Sequence, residues 1–418
     1  MTTPPGLPRR LGTADAVVIG LGSMLGAGVF TAFAPAAEAA GAGLLIGLVV
    51  AAVVAYCNAT ASAQLAAQYP TSGGTYVYGR ERLGDWWGFL AGWGFVVGKT
   101  ASCAAMALTF AAYTAPEAWR RPVAVAAVMG LTAVDHRGVT RTAGLTRIVL
   151  TVVLAALAVA VTATLLGGGA DIDRVATWTS PDGGAHGVLQ SAGLLFFAFA
   201  GYARIATMGE EVRDPARTIP RAISVALGIV VVVYGMVAVT VLAALGPEGV
   251  AGTSRPLVDA VDGSGWGWAA PVVRVGAAAA ALGALLALIA GVGRTALAMG
   301  RQGDLPGYLA AVHPRFHVPH RAGLVLAAVV CLLVLTVDLR GAIGFSSFGV
   351  LLYYCVANAA AFTQDREHRR FPRVLQVIGG LGCVVLVATL PWQAVIAGVT
   401  VFAVGIVHRA TRLRLAAR

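Results

Sequence analysis

Long apolar segments alternate with short polar segments along almost the whole chain. A helix needs about 20 consecutive apolar residues to cross a lipid bilayer. The pattern predicts twelve such helices, of which the fourth is the shortest, at residues 14–36, 41–66, 86–115, 122–135, 145–166, 187–208, 222–245, 269–299, 322–339, 343–362, 374–390 and 392–408. These runs are too long and continuous for the alternating strands of a membrane barrel. The expected fold is therefore an all-α polytopic membrane protein, with one transmembrane domain over residues 1–418.

The arginines fall mostly in alternate polar segments, which predicts the orientation in the membrane. With a cytoplasmic N-terminus, about 21 arginines lie inside, among them Arg9, Arg10, Arg141 and Arg418, and about six lie outside. The outside set is Arg120, Arg121, Arg174, Arg255, Arg274 and Arg340. Positively charged loops favour the cytoplasmic side of a membrane. We therefore expect an even number of spans, with both termini in the cytoplasm. The expected location is the plasma membrane. The net charge of +11 then reflects positively charged cytoplasmic loops, and no nucleic-acid partner is expected.

Composition agrees with this class and argues against others. Hydrophobic residues make up 58% of the chain and charged residues 12%, and the mean hydropathy is +0.79, whereas a soluble domain carries about a quarter charged residues. The five cysteines lie in apolar runs without CxxC spacing, and the histidines His313, His317 and His320 lie in a proline-broken loop. We therefore expect no disulfide, metal or cofactor. No nucleophile–base pair lies at membrane depth, so an enzyme is not expected.

Two of the predicted spans contain helix-breaking sequences. Span 1 contains Gly-Ser-Met-Leu-Gly-Ala-Gly (22–28), and span 6 contains Phe-Phe-Ala-Phe-Ala-Gly-Tyr (196–202). Each glycine weakens a helix interior by about 1 kcal/mol relative to alanine. Close helix packing and an aromatic packing stripe would also account for these stretches. However, the chain can be divided into two repeats of five helices, residues 14–166 and 187–362, followed by two helices in 374–408. The two breaks then occupy corresponding places in the two repeats. Paired interrupted helices are typical of a transporter's binding site.

With these two motifs the chain resembles the amino acid–polyamine–organocation superfamily. The glycine-rich stretch at 22–30 is similar to that family's broken helix 1, and Tyr-Pro-Thr-Ser-Gly-Gly-Thr-Tyr-Val-Tyr (69–78) is similar to its first cytoplasmic loop. The stretches at 196–202 and 209–222 resemble helix 6 and the following loop, and those at 298–306 and 313–316 resemble the loop after helix 8. The landmarks occur in family order and cover most of spans 1–8.

The resemblance implies a five-plus-five inverted repeat, the leucine-transporter fold, with two extra C-terminal helices. It also implies an amino acid permease that works by alternating access. The backbone of six residues in span 1 would receive the substrate carboxylate: Ser23, Met24, Leu25, Gly26, Ala27 and Gly28. The backbone of Phe197, Ala198, Phe199 and Ala200 would receive the α-amino group, and Phe197 matches the family's gating aromatic.

The chain departs from its relatives at two positions. Many relatives carry an acidic residue just after the glycine–aromatic pair of helix 6, where this chain has Ala203 followed by Arg204. Some proton-coupled relatives carry a lysine in helix 5, and the matching residues 150–154 contain none. Proton coupling is then either absent or supplied by another group.

Lys99 is the only lysine in the chain and lies inside an apolar span. A charged lysine at the centre of a membrane helix costs about 3 kcal/mol on insertion scales. Its helical neighbours Ser102 and Cys103 form a small, mildly polar face that we expect to point into the bundle. Lys99 could simply pair with backbone carbonyls and hold helices together. Because burial disfavours the charged form of a lysine, it could instead carry the coupled proton, and it would repel cationic substrates.

The sequence thus predicts secondary active uptake of neutral or acidic amino acids, with protons as the coupling ion. Residues 283–294 of span 8 offer no hydroxyl to a sodium ion. An amino acid exchanger without proton coupling is the nearest alternative, and a membrane sensor with the same fold is a third. The expected partners are an amino acid, protons and the lipid bilayer. The oligomeric state is not predicted.

Overall fold

The computed structural model describes residues 11–70, 73–138, 143–176, 184–209 and 211–416. Several residues used in the sequence predictions lie outside this part of the chain: Arg9, Arg10, Thr71, Ser72, Arg141, Glu210 and Arg418. Within it, the chain is almost entirely helical, and the one extended pairing is an isolated bridge between Leu11 and Val212.

The N-terminal half of the described chain contains nine α-helices. They are α1 (Thr13–Met24), α2 (Gly28–Thr31), α3 (Phe33–Ala40), α4 (Leu44–Gln68), α5 (Thr75–Leu83), α6 (Asp85–Thr114), α7 (Arg120–His136), α8 (Ala143–Leu166) and α9 (Asp173–Ala176). The C-terminal half contains nine more: α10 (Gly184–Phe199), α11 (Ala203–Ala206), α12 (Pro215–Ala251), α13 (Pro256–Asp262), α14 (Ala270–Arg301), α15 (His320–Thr336), α16 (Leu339–Phe362), α17 (Arg373–Thr389) and α18 (Trp392–Ala416).

The fold is that of a polytopic α-helical membrane protein. In the described part of the chain, nine helical stretches are long and apolar enough to cross a membrane, and α15 and α17 are shorter apolar helices. Each of the twelve predicted segments coincides with helix, including the short fourth segment, which is α7. The number of crossings and the division into two repeats stay predictions.

Helix α6 lies in the middle of the bundle and packs closely on α16 and α14. A Cβ atom added at Gly98 or Gly349 would meet backbone atoms of the other helix at 2.7 to 3.2 Å. Small residues of this kind let membrane helices approach closely and gain van der Waals contact. Beside them, the hydroxyls of Ser102 and Ser346 lie 2.6 Å apart. This packing fixes the position of Lys99, which lies one residue from Gly98.

Candidate functional site

The predicted break in span 1 is present. Helix α1 ends at Met24 and α2 begins at Gly28, so residues 25–27 are not helical. The amide of Leu25 still bonds to the carbonyl of Leu21 at 2.7 Å. The next three amides, of Gly26, Ala27 and Gly28, have no hydrogen-bond acceptor among the described residues. All three residues are buried. Because a buried N–H without a partner is rare and costly, these amides are positioned to receive an acceptor from a ligand.

The break in span 6 is milder than the sequence predicts. Helix α10 ends at Phe199, a single 3₁₀ turn covers Ala200–Tyr202, and α11 continues to Ala206. A 3₁₀ stretch within a helix often marks a functional hinge. The carbonyl of Ala200 accepts a hydrogen bond from the hydroxyl of Tyr354 at 3.3 Å. The chain is therefore tightened at this point and does not unwind.

The two interruptions lie directly against each other, because glycines bring their backbones together. A Cβ atom on Gly201 would lie 2.3 Å from the carbonyl oxygen of Ser23. One on Gly28 would lie 2.7 Å from the Cβ of Ala198. No larger residue fits at either contact without moving one of the helices. The structure therefore brings the predicted residues of span 1 and span 6 into one place.

Tyr234 of α12 joins the two interruptions. Its hydroxyl lies 2.6 Å from the carbonyl oxygen of Met24 and 3.0 Å from that of Ala198, and it donates to these carbonyls. The rings of Phe33 and Phe199 pack against it edge to face. A hydroxyl has one proton, so it donates fully to one carbonyl at a time. Sequence reasoning missed Tyr234, because a single tyrosine in an apolar span carries no distinguishing signal.

The side chains around the interruptions leave little of the site exposed. Of residues 23–28, five are buried and Ser23 is half-buried. The Ser23 hydroxyl donates to the carbonyl of Ile19 at 2.9 Å, so it is already engaged. The side chain of Phe197, the predicted gate, is buried, as are Ala198, Phe199 and Ala200. The interruptions are thus enclosed in the middle of the bundle.

An ion pair spans each end of the broken helix 1. At the predicted extracellular end, Arg340 at the start of α16 pairs with Glu38 of α3. At the predicted cytoplasmic end, Arg147 of α8 pairs with Asp15 of α1. Exposed pairs of this kind contribute about 0–1 kcal/mol each. They are therefore weak enough to open and close readily.

Lys99 lies near the middle of α6 and is 8% exposed. In the described part of the chain, the Lys99 side chain makes no hydrogen bond and no ion pair, and the Cys103 thiol is its electrostatic neighbour. Helix α6 contacts the broken helix through Thr109 and Thr31, whose hydroxyls lie 3.3 Å apart. At 1.5 Å per residue, Lys99 lies about 15 Å from Thr109 along α6, towards the N-terminal end of that helix. It therefore lies away from Thr31, towards the predicted cytoplasmic side.

Three histidines approach one another near the predicted cytoplasmic face. The ring centroids of His136, His313 and His320 lie 5.2 to 6.1 Å apart, while His317 points elsewhere and is exposed. The Nδ1 atom of His313 accepts backbone N–H groups of its own loop. Among the described residues, no group of three or more histidine, cysteine, aspartate or glutamate side chains is arranged to hold a metal ion.

Comparisons with known proteins agree with the arrangement of the helices. A family model described as "Amino acid permease" matches residues 11–409. The chain is 61% identical over 403 residues to an uncharacterized transporter of Mycobacterium tuberculosis, covering 96% of this chain and 91% of the relative. It is 25% identical over 435 residues to a branched-chain amino acid permease of Bacillus subtilis, covering 96% and 92%. It is 30% identical over 386 residues to a chloroplastic cationic amino acid transporter of Arabidopsis thaliana, covering 85% and 65%.

Proposed function

Since the chain belongs to the amino acid permease family, we propose that it carries neutral or acidic amino acids across the plasma membrane by alternating access, coupled to protons. One observation supports this proposal more than any other. The buried amides of Gly26, Ala27 and Gly28 have no acceptor among the described residues. A row of backbone N–H groups at a broken helix suits a carboxylate, which accepts charge-assisted hydrogen bonds.

The α-amino group of the substrate would bind on the other side of the same contact. Its acceptors would be backbone carbonyls of residues 197–200, of which Ala198 now receives the Tyr234 hydroxyl and Ala200 the Tyr354 hydroxyl. When an ammonium group takes the Ala198 carbonyl, Tyr234 keeps its bond to Met24. Phe197 would cover the bound molecule as a gate, and its side chain would have to turn for a substrate to enter.

Alternating access requires that the ends of the bundle open in turn. We infer two five-helix repeats, residues 14–166 and 187–362, that move relative to each other, with 374–408 outside them. The Glu38–Arg340 pair would open to admit substrate from outside. The Asp15–Arg147 pair would open to release it inside. Both termini would then lie in the cytoplasm.

The charges in the inner half of the bundle favour neutral or acidic substrates. Lys99 has no carboxylate partner among the described residues, so a cationic substrate would meet uncompensated positive charge. One relative is named for branched-chain amino acids and another for cationic ones. Arginine and lysine are therefore the most informative members of a substrate panel. High-affinity arginine transport would contradict the proposed substrate class.

Proton coupling is assigned to Lys99, because a buried amine without a counter-ion can gain and lose a proton as its surroundings change. Exchange without proton coupling is the second candidate. The absence of a lysine at 150–154 favours it. Both candidates use the same binding site, and they differ only in the response to a proton gradient.

The experiment is uptake of a labelled amino acid panel into proteoliposomes, with and without an imposed inward proton gradient. Lys99→Met removes the titratable group at similar volume, and Lys99→Arg keeps a permanent charge. Thr100→Ala, which removes a neighbouring hydroxyl that bonds to the Val96 carbonyl of the same helix, is the control. We expect the gradient to drive accumulation in wild type and in the control but in neither Lys99 variant. An equal response in all four proteins would overturn the role of Lys99. Exchange that ignores the gradient in wild type would favour the second candidate.

A further inference from the structure

Two arginines lie on the cytoplasmic side of the interruptions, Arg204 in α11 and Arg294 in α14. The side chain of Arg204 is 41% exposed, although its neighbours Ala203, Ile205 and Ala206 are at most 6% exposed. Arg294 of α14 is exposed as well, while the adjacent Gly293 is buried. Both side chains are therefore accessible, although residues beside them in the sequence are buried.

The two arginines lie within electrostatic range of each other, on the same side of the interruptions. Arg294 is close enough for its charge to act on Arg204. Arg204 follows Gly201 by three residues, so it lies about 5 Å along the helix from the contact with Ser23. Arg294 follows Ala284 by ten residues, or about 15 Å, and Ala284 lies 3.1 Å from the Cβ position of Gly26. Both arginines thus lie on the inner side of the proposed binding site, at increasing depth towards the cytoplasm.

The charges around this pair are only partly compensated. Glu211 lies 3.9 Å from Arg204, at the limit of an ion pair, and the Thr207 hydroxyl lies 3.5 Å from it. The carboxylate of Asp135 is within electrostatic range of Arg294. In the described part of the chain, Arg294 makes no hydrogen bond and no ion pair. A guanidinium has five N–H donors in a planar fork, so most donors of the pair are not used.

We propose that Arg204 and Arg294 form a second binding site for a carboxylate in the cytoplasmic vestibule. A guanidinium binds a carboxylate through two parallel hydrogen bonds. This site takes the carboxylate of an amino acid that leaves the central site, or that of a small organic acid from the cytoplasm. The amino acid source rests on the proposed function, whereas carboxylate binding itself does not.

The first test measures the local charge without any transport. Arg204→Cys is reacted from the cytoplasmic side with a negatively and a positively charged methanethiosulfonate of similar size, with wild type as the blank for the native thiols. We expect the negative reagent to react at least five times faster than the positive one, relative to their rates with a free thiol. The preference should disappear in Arg204→Cys/Arg294→Gln and persist in Arg204→Cys/Arg301→Gln, in which a different arginine of α14 is neutralised. No labelling, or no dependence on Arg294, would overturn the proposal.

The second test identifies the source of the carboxylate. Transport kinetics are measured separately from the cytoplasmic and external sides for Arg294→Gln, Arg294→Lys and Arg301→Gln. If amino acids use the site, the cytoplasmic-side KM should rise five- to tenfold in Arg294→Gln, partly recover in Arg294→Lys, and stay unchanged from outside. If a cytoplasmic acid uses it, malonate should slow labelling of Thr207→Cys, which lies beside Arg204 and keeps both arginines, while the KM values stay unchanged. If labelling succeeds but wild type transports no amino acid, the proposed function fails and the anion site stands. If neither the KM nor labelling responds, the assignment of a carboxylate site is wrong.

Discussion

Removing the hydroxyl of Tyr234 should weaken the contact between the two interruptions. Tyr234→Phe keeps the ring, which packs between Phe33 and Phe199, and deletes only the donor to the carbonyls of Met24 and Ala198. A buried hydrogen bond contributes about 0.5–1.5 kcal/mol, and a buried acceptor left without a donor costs about 1–3 kcal/mol. Met24 is the last residue of α1, so the chain offers its carbonyl no helical donor in place of the hydroxyl.

The loss should appear both in stability and in transport. We expect the free energy of unfolding to fall by about 1–3 kcal/mol, measured as a lower melting temperature of the purified protein in detergent. The affinity for substrate should change as well, because Ala198 is a proposed acceptor for the α-amino group. Tyr113→Phe is the matched control, since it deletes a buried hydroxyl 2.7 Å from the Phe30 carbonyl, beyond the break in the same broken helix.

The two variants separate a role in the site from a role in packing. Tyr113→Phe should lower the melting temperature by a similar amount and leave the substrate KM close to wild type. Tyr234→Phe should lower the melting temperature and also change the KM. If both variants alter the KM equally, or if Tyr234→Phe changes neither quantity, the reasoning about Tyr234 is refuted.

Two other substitutions test the packing and the cytoplasmic side of the bundle. Gly201→Ala places a methyl group 2.3 Å from the carbonyl oxygen of Ser23, so it should lower the free energy of unfolding by about 1–3 kcal/mol and abolish uptake. Gly235→Ala in α12 is the control, because nothing lies within 4 Å of the added methyl group. It should leave the melting temperature unchanged or raise it. Asp304→Asn removes the buried carboxylate that pairs with Arg80 and Arg409 and should lower the melting temperature by several degrees, since an unpaired buried charge costs about 3–5 kcal/mol. Asp365→Asn, at an exposed position, should have no measurable effect on the melting temperature. Equal decreases in the melting temperature of the two variants would contradict the argument.

Much of the helical arrangement follows from local patterns in the sequence. The apolar runs predict the helices, because a bilayer requires long uninterrupted segments whatever their neighbours are. Glycine spacing likewise predicts a break within residues 22–28, since each glycine lowers helix stability locally, and the structure places it at residues 25–27. The 3₁₀ turn at Ala200–Tyr202 was predicted less accurately, because the number of backbone bonds lost there depends on the packing of Gly201 against the other broken helix.

Contacts between distant segments were not predictable from one sequence. Tyr234 gains its importance only because α12 brings it to two carbonyls 210 and 36 residues away. The depth of Lys99 relative to the site depends in the same way on the contact of Thr109 with Thr31. Arg204 stood out in the sequence as a departure from the family pattern, but its proximity to Arg294 required the folded bundle.

The most direct test of the account is whether the substrate carboxylate is recognised at the break of span 1. Isothermal titration calorimetry of the purified protein would compare the best amino acid of the transport panel with the corresponding amino acid amide, which lacks the negative charge. We expect the amide to bind at least tenfold more weakly, a difference of about 1.4 kcal/mol, because the buried amides of Gly26, Ala27 and Gly28 would lose a charged acceptor. Equal affinity for the two compounds would contradict a carboxylate site at this break.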